Sequence, residues 1–242
     1  MKRASLLGTG LAVVMSLALA GSAMAAAFMN GSFENGTYAA SGPGYETLAA
    51  GQPNATAMNG WTVTSGTVDW INGYWTSEDG SYSVDMNGTP TTAVPSTVGT
   101  ITQTFDTSPN STYFVQFWLA GNPDGGPAVK TLWVSATGTA AESYSFDTTG
   151  HSDTNMGWTL EGYTFVAIGS STTLTFAADP TNTSNNGPAL DNVTVTQEST
   201  ATGAMCKDGG WKTMVDASGT PFKNQGACVS FYATSGQVPI GN

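Results

Sequence analysis

The chain has 242 residues, 17 acids against six Lys and Arg, and a net charge of −11, with charged residues only 10% of the whole. It cannot build the basic face that phosphate binding needs, so a nucleic-acid partner is excluded and an anionic membrane surface disfavoured. Aromatic residues at 10%, seven Trp among them, supply enough apolar area for one large core and argue against disorder.

In chain order, the first feature is a leader. Lys2 and Arg3 precede an apolar run, residues 6–20, and Ala23-Met24-Ala25 offers a small-residue cleavage site. Residues 1–25 read as a signal peptide, with no membrane insertion after its removal. The remaining chain keeps four lysines and no arginine. The expected product is a bacterial protein that is secreted, periplasmic or held at the cell surface.

Residues 26–196 read as strands separated by Gly, Ser, Thr and Asn. The alternation is clearest at 111–119, where Tyr113, Val115, Phe117 and Leu119 face one way and Phe114, Gln116 and Trp118 the other. Similar runs cover 61–71, 82–86, 98–105, 131–136, 142–146, 163–168, 172–177 and 189–196. Turn clusters such as Asn72-Gly73, Asp79-Gly80 and Asn87-Gly88 divide them. About nine strands with no convincing helix predict an all-β sandwich. Its two ends carry Asn30-Gly31-Ser32-Phe33-Glu34 and Gly187-Pro188-Ala189-Leu190-Asp191-Asn192-Val193. An acid after the first strand and an acid before the last meet only if the chain closes on itself.

Residues 197–205 are small and polar, and read as a linker. Residues 206–242 hold both cysteines. In an exported chain Cys206 and Cys228 pair most simply as one disulfide, worth about 3 kcal/mol by loop-closure entropy. The segment is too short to bury a core alone, so a disulfide-stapled hairpin or a docked C-terminal extension is expected.

The ordered set formed by Asn30 to Glu34, Val68-Asp69-Trp70-Ile71, Gly80-Ser81-Tyr82-Ser83-Val84-Asp85, Leu119-Ala120-Gly121-Asn122-Pro123-Asp124 and Ala189 to Val193 resembles the choice-of-anchor C proteins. These are similar to the plant cell-wall proteins of domain-of-unknown-function family 642. The resemblance runs from about residue 28 to 195. It implies a galactose-binding-like jelly roll and association with cell-wall polysaccharide. Bacterial members often end in a sorting signal, whereas this chain ends in the cysteine segment.

Three kinds of chemistry follow. Calcium takes six to eight oxygens. Ser32, Glu34, Ser83 and Asp191 are the expected ligands of a structural calcium ion, with carbonyls from the 31–32 turn and the 81–83 segment; turn capping by Glu34 and Asp191 is the alternative. Trp70, Tyr74 and Trp75 flank a turn and could stack a sugar ring, with Asp69, Asn122 and Asp124 binding its hydroxyls; a core Trp70 is the alternative. Glycoside hydrolysis needs a carboxylate pair, and Asp69 with Glu78 or Asp153 with Glu161 stay open. No nucleophile elbow or zinc-binding His pair occurs, and His151 reads as a turn residue. The expected function is non-catalytic binding of extracellular polysaccharide by a calcium-stabilised module. A matrix or adhesion protein and a glycosidase-like enzyme are the alternatives.

Overall fold

Gly66 divides what reads as one long strand into two. The computed structural model describes residues 27–198, 200–201, 206–216, 220–234 and 238–239. Gly66 has φ +56°, and a Cβ there would lie 2.1 Å from the Val98 carbonyl oxygen. β2 (Thr62–Ser65) and β3 (Thr67–Asn72) flank it and enter different sheets. The chain crosses from one layer to the other at that residue.

The remaining strands are β1 (Tyr45–Ala49), β4 (Tyr82–Asp85), β5 (Thr100–Asp106), β6 (Thr112–Gly121), β7 (Val129–Ala136), β8 (Glu142–Asp147), β9 (Thr159–Val166), β10 (Ser171–Ala178) and β11 (Pro188–Gln197). One sheet runs β1-β3-β4-β11-β6-β9 and the other β2-β5-β10-β7-β8, with every pair antiparallel. This is the expected all-β jelly-roll sandwich. β1 escaped the alternation because Glu46 and Thr47 are buried beside Leu48, which breaks the polar–apolar pattern.

Alternation fills the space between the sheets. Val115, Phe117 and Leu119 of β6 meet Leu174 and Phe176 of β10 and Leu132 and Val134 of β7 in one buried cluster. Phe117 and Phe176 pack edge to face at 5.3 Å. Phe114, Gln116 and Trp118 stay half-exposed on the outer face, as their spacing predicts.

The two end motifs do meet. The Val193 amide donates to the Gly31 carbonyl at 2.8 Å, and a Cβ on Gly31 would fall 1.7 Å from the Val193 oxygen. Residues 27–35 are turn and coil rather than a first strand. They are tied down by Gln103, which bonds both the amide and the carbonyl of Met29.

The cysteine segment is stapled as expected. Cys206 and Cys228 are bonded, with a sequence separation of 22. The hairpin expectation is corrected: a 3-10 turn at Gly210–Lys212 packs against a helix, α1 (Gln225–Thr234), around Met214, Trp211, Phe222 and the disulfide. The Asn224 side chain starts the helix by accepting from the Ala227 amide at 2.9 Å. The expected linker begins inside β11, and β12 (Thr200–Ala201) pairs with β13 (Val238–Pro239). The expected leader, 1–25, lies outside the described residues, as do 199 and 202–205 of the expected linker. Among the described residues no helix is long and apolar enough to cross a membrane.

Two outcomes follow. Gly51 also has positive φ, +70°, but a Cβ there meets nothing within 4 Å. Gly66→Ala should therefore cost roughly 1–3 kcal/mol more than Gly51→Ala in urea unfolding; equal losses would contradict the crossing-point role. Lys207, Lys212 and Lys223 are exposed, and reduction should loosen the backbone around them and speed trypsin cleavage there while the buried Lys130 stays intact. Mass spectrometry of limited digests reads this, and equal cleavage at Lys130 would contradict it.

Candidate functional site

Register places two acids side by side. Asp69 of β3 is the cross-strand partner of Asp85 of β4, on the face of the six-stranded sheet that points away from the core. Three connections cover that face: 73–81 after β3, 122–126 after β6, and 182–187 before β11. Both carboxylates are buried, Asp85 to 1% exposure. Each is held by donors. Asp69 accepts from the Thr47 hydroxyl at 2.7 Å and from the Thr89 amide and hydroxyl at 3.0 and 2.9 Å. Asp85 accepts from the amides of Asn87 and Gly187 at 3.0 and 2.9 Å, and from the Asn122 side chain at 2.8 Å.

Burial decides the electrostatics. Desolvation pushes the Asp85 carboxyl up to about 8; the Asn122 hydrogen bond and the two amides pull it down, and the charge of Asp69 pushes it up. Asp69 is raised by the same desolvation. Lys130 lies fully buried nearby, its stem running under Gly121, where a Cβ would fall 2.5 Å from the Lys130 Cγ. Its ammonium donates to the carbonyls of Gly125 at 2.6 Å and Asn186 at 2.8 Å. It therefore braces two of the covering connections from below. Desolvation lowers its pKa, and the charge of Asp85 opposes that shift.

Above the acids is a pocket of about 60 Å³, lined by Tyr45, Ile71, Tyr74, Trp75, Asn122 and Asn186, with Thr89 and Asn185 at its edge. That volume holds a few waters. It admits the hydroxyl edge of a ligand and not a whole sugar ring. Tyr45 and Tyr74 meet edge to face at 5.8 Å, and Tyr74 meets Trp75 at the same distance. The Tyr74 hydroxyl donates to Asp124.

Of the six residues expected to bind a ligand, Asp69, Tyr74, Trp75 and Asn122 line this pocket and Asp124 is joined to it. The stacking roles are corrected. Trp70 points to the opposite side, 1% exposed, with its indole N–H on the Phe33 carbonyl at 3.1 Å and its ring against Tyr82. Trp75 is 4% exposed and donates to Ser83 at 2.8 Å. Neither indole offers a face to solvent; the half-exposed rings are Tyr45 and Tyr74. Sequence reasoning missed Tyr45, Asp85, Asn185 and Asn186. Asp85 stood inside a quoted motif, and its spacing from Asp69 across a turn-linked strand pair was the available signal.

The four expected calcium ligands do not form one oxygen cage. Glu34 accepts from the Ser81 and Tyr82 amides at 2.8 and 2.7 Å. Asp191 accepts from the Glu78 and Asp79 amides at 2.9 and 3.1 Å, and from Asn192 at 2.7 Å. The Ser83 hydroxyl is taken by Trp75, and Ser32 sits in the turn closed by the Phe33 amide on the Asn30 carbonyl. A cation needs converging oxygens, whereas these carboxylates meet N–H groups. They act as clamps on the 78–82 segment, so the residues present do not fit the ion. Among the described residues no three His, Cys, Asp or Glu side chains gather as a metal site. Burial pushes Asp191 up to about 7, against the pull of its amide donors.

Of the carboxylate pairs considered for hydrolysis, Asp153 lies on the loop before β9 and Glu161 on β9 itself. Glu78 accepts from the Asn192 side chain at 2.9 Å, and the register partner of Asp69 is Asp85. His151 is a loop residue, its Nδ1 3.2 Å from the Asn155 carbonyl and its ring on Phe146.

The raised acids set a pH dependence. Asp85 and Asp191 take up protons more readily folded than unfolded, so their contribution to stability is fully present below about pH 4 and is lost as pH rises to about 8. Urea midpoints should fall between pH 5 and pH 8, by on the order of a few kcal/mol in stability. Asp85→Asn should flatten that fall; an unchanged slope in this variant would show that Asp85 ionises freely.

The chain is 28% identical over 177 residues to Halomucin of Haloquadratum walsbyi, an alignment that covers 70% of this chain and 2% of that protein. Among solved structures, it is similar to TmCBM61 in complex with β-1,4-galactotriose, at 18% identity and TM-score 0.41, over 71% of this chain and 97% of the other. It is similar to CBM35 from Paenibacillus barcinonensis, at 18% identity and TM-score 0.38, over 62% and 98%. The arabinose-bound α-L-arabinofuranosidase MgGH51 matches at 13% identity and TM-score 0.46, over 73% of this chain and 27% of the enzyme. The family model described as "Protein of unknown function (DUF642)" matches residues 26–196, and the chain belongs to that family.

Proposed function

We propose that the protein is an exported, non-catalytic module that binds extracellular polysaccharide at the acid-floored pocket. One observation carries the reading. The carboxylates of Asp69 and Asp85 are fully engaged with protein donors, while the Asn185 and Asn186 side chains above them are not. Among the described residues the side-chain amides of Asn185 and Asn186 hold no hydrogen bond, and Tyr45 and Tyr74 are half-exposed. An acid with every oxygen already accepting a protein hydrogen bond has no free lone pair aimed at a ligand and is a poor nucleophile. It is a good floor, because it fixes the strands and connections that carry the contact groups.

A sugar end presents hydroxyls that donate and accept, and a C–H face that is apolar. The Asn185 and Asn186 amides answer the first property and the Tyr74 ring the second. Asp124 fixes the Tyr74 hydroxyl, so the ring is held before a ligand arrives and less ordering entropy is lost on binding. Export rests on the leader-like residues 1–25.

Retention on immobilised polysaccharides tests the reading. Tyr74→Ala should weaken binding roughly five- to tenfold, about the worth of one aromatic contact, with thermal melting little changed. Tyr74→Phe keeps the ring and should lose less. If Tyr74→Ala and Asn185→Ala together leave retention at the wild-type level, the pocket is not the binding site.

A further inference from the structure

Trp133 is the exposed tryptophan among the described residues, whereas Trp118, Trp158 and Trp211 are half-exposed. Trp61, Trp70 and Trp75 are buried, but Trp133 is 37% exposed. Its neighbours on β7, Leu132 and Val134, point into the core, so alternation turns the indole to the outer face of the five-stranded sheet. This is the sheet opposite the one that carries the acid-floored pocket.

The surroundings form a built groove. Trp133 is in register with Ala177 of β10 on one side and Ser143 of β8 on the other. The short Ala177 leaves open space beside the indole. A groove of about 440 Å³ lies there, lined by Ser65, Ser96, Thr100, Trp133, Ala177 and Pro180 together with Val98 and Ala178. A second hollow of about 590 Å³ runs along β7 at Thr131 and Val129, reaches Asp179 and Thr181, and is bordered by Gly126 and residues 182–184 of the connections that also cover the acid-floored pocket. Pro180 lines the first and its two chain neighbours line the second, so the hollows adjoin. The rest of the face is hydroxyl-rich: Thr104 bonds Thr173 at 2.7 Å and Thr131 bonds Ser145 at 3.1 Å.

Charge selects the occupant. The groove beside Trp133 has no ionisable side chain, in a chain of net charge −11. The single acid of the adjoining hollow, Asp179, is turned back on the Thr181 amide and hydroxyl, both at 2.8 Å. An anionic partner is repelled by the whole molecule, and a cationic one finds no carboxylate in the groove. An apolar helix or acyl chain would strip water from Ser65, Ser96 and Thr100 without replacing it. A neutral glycan satisfies all three conditions: its C–H face stacks on the indole and its hydroxyls pair with Ser and Thr.

We propose that the groove at Trp133 is a second binding site, for a neutral polysaccharide chain, independent of the acid-floored pocket. Because the two sites lie on opposite sheets, one molecule can hold two glycan chains.

Co-sedimentation of the full chain with insoluble cellulose, xylan and β-1,4-galactan tests this, with Trp133→Ala, Trp133→Tyr and Tyr74→Ala read side by side. Trp133→Ala should lose roughly five- to tenfold in affinity for at least one of these polymers, and Trp133→Tyr should recover part of it. Wild-type protein should also show a shift in tryptophan emission on binding that Trp133→Ala lacks. Loss in Tyr74→Ala alone would overturn this site and leave the pocket standing. Full retention by both variants would overturn both, as would no binding by wild type. A change in sedimentation coefficient in Trp133→Ala without loss of polymer binding would mark the face as a self-association surface and overturn the proposal.

Discussion

The carboxylate of Asp85 ties together three segments of this molecule. From β4 it accepts the Asn87 amide in its own turn, the Gly187 amide at the entry to β11, and the Asn122 side chain beyond β6. These segments are far apart in sequence, and only the sandwich topology brings them to one point. Gly187 allows the approach, since a Cβ there would lie 2.6 Å from the Asp85 Oδ1 and 2.5 Å from the Asn87 amide nitrogen. A buried carboxylate without such donors would be strongly destabilising. With them, it specifies how three connections sit on the sheet.

The pocket follows from that constraint. Asp69 and Asp85 fix the floor, Lys130 braces the 122–126 and 182–187 connections from the core side, and Glu34 and Asp191 clamp the 78–82 segment by its amides. The same arrangement commits the oxygens of Asp69, Asp85, Glu34 and Asp191 to protein donors. Their oxygens are used in structure, and the surface left for a ligand is made of tyrosine rings and asparagine amides. Binding energy then comes from preorganised neutral contacts.

Much of this was legible in the sequence, for identifiable reasons. β7 and β10 alternate strictly, and β6 does as far as Leu119, because each has one face in the core and one in solvent. The strand pair around Gly66 read as one because both halves are β-rich and only the glycine marks the crossing. β1 was missed because its polar residues are buried against Asp69 and Asn54 rather than exposed. The ligand set was found as a neighbourhood, since Asp69, Tyr74 and Asn122 do converge, but the indoles were misassigned. A tryptophan beside a turn is exposed only if nothing folds over it, and here the 73–81 connection folds back to bury Trp75 against Ser83. The calcium expectation rested on spacing alone: acids at two closing ends meet oxygens or amides depending on backbone direction, which spacing does not reveal. The helix near Cys228 is short and contains Gly226, so its pattern was too weak to read.

On the proposed reading, contact groups on both sheets hold polymer without cutting it. Amide chemical-shift mapping on adding a soluble oligosaccharide drawn from a bound polymer tests the central claim most directly. The account predicts that the largest shifts include Tyr74, Asn122, Asp124, Asn185 and Asn186, with no cleavage of the oligosaccharide during the titration. Binding that leaves all five unshifted, or hydrolysis of the ligand, would contradict it.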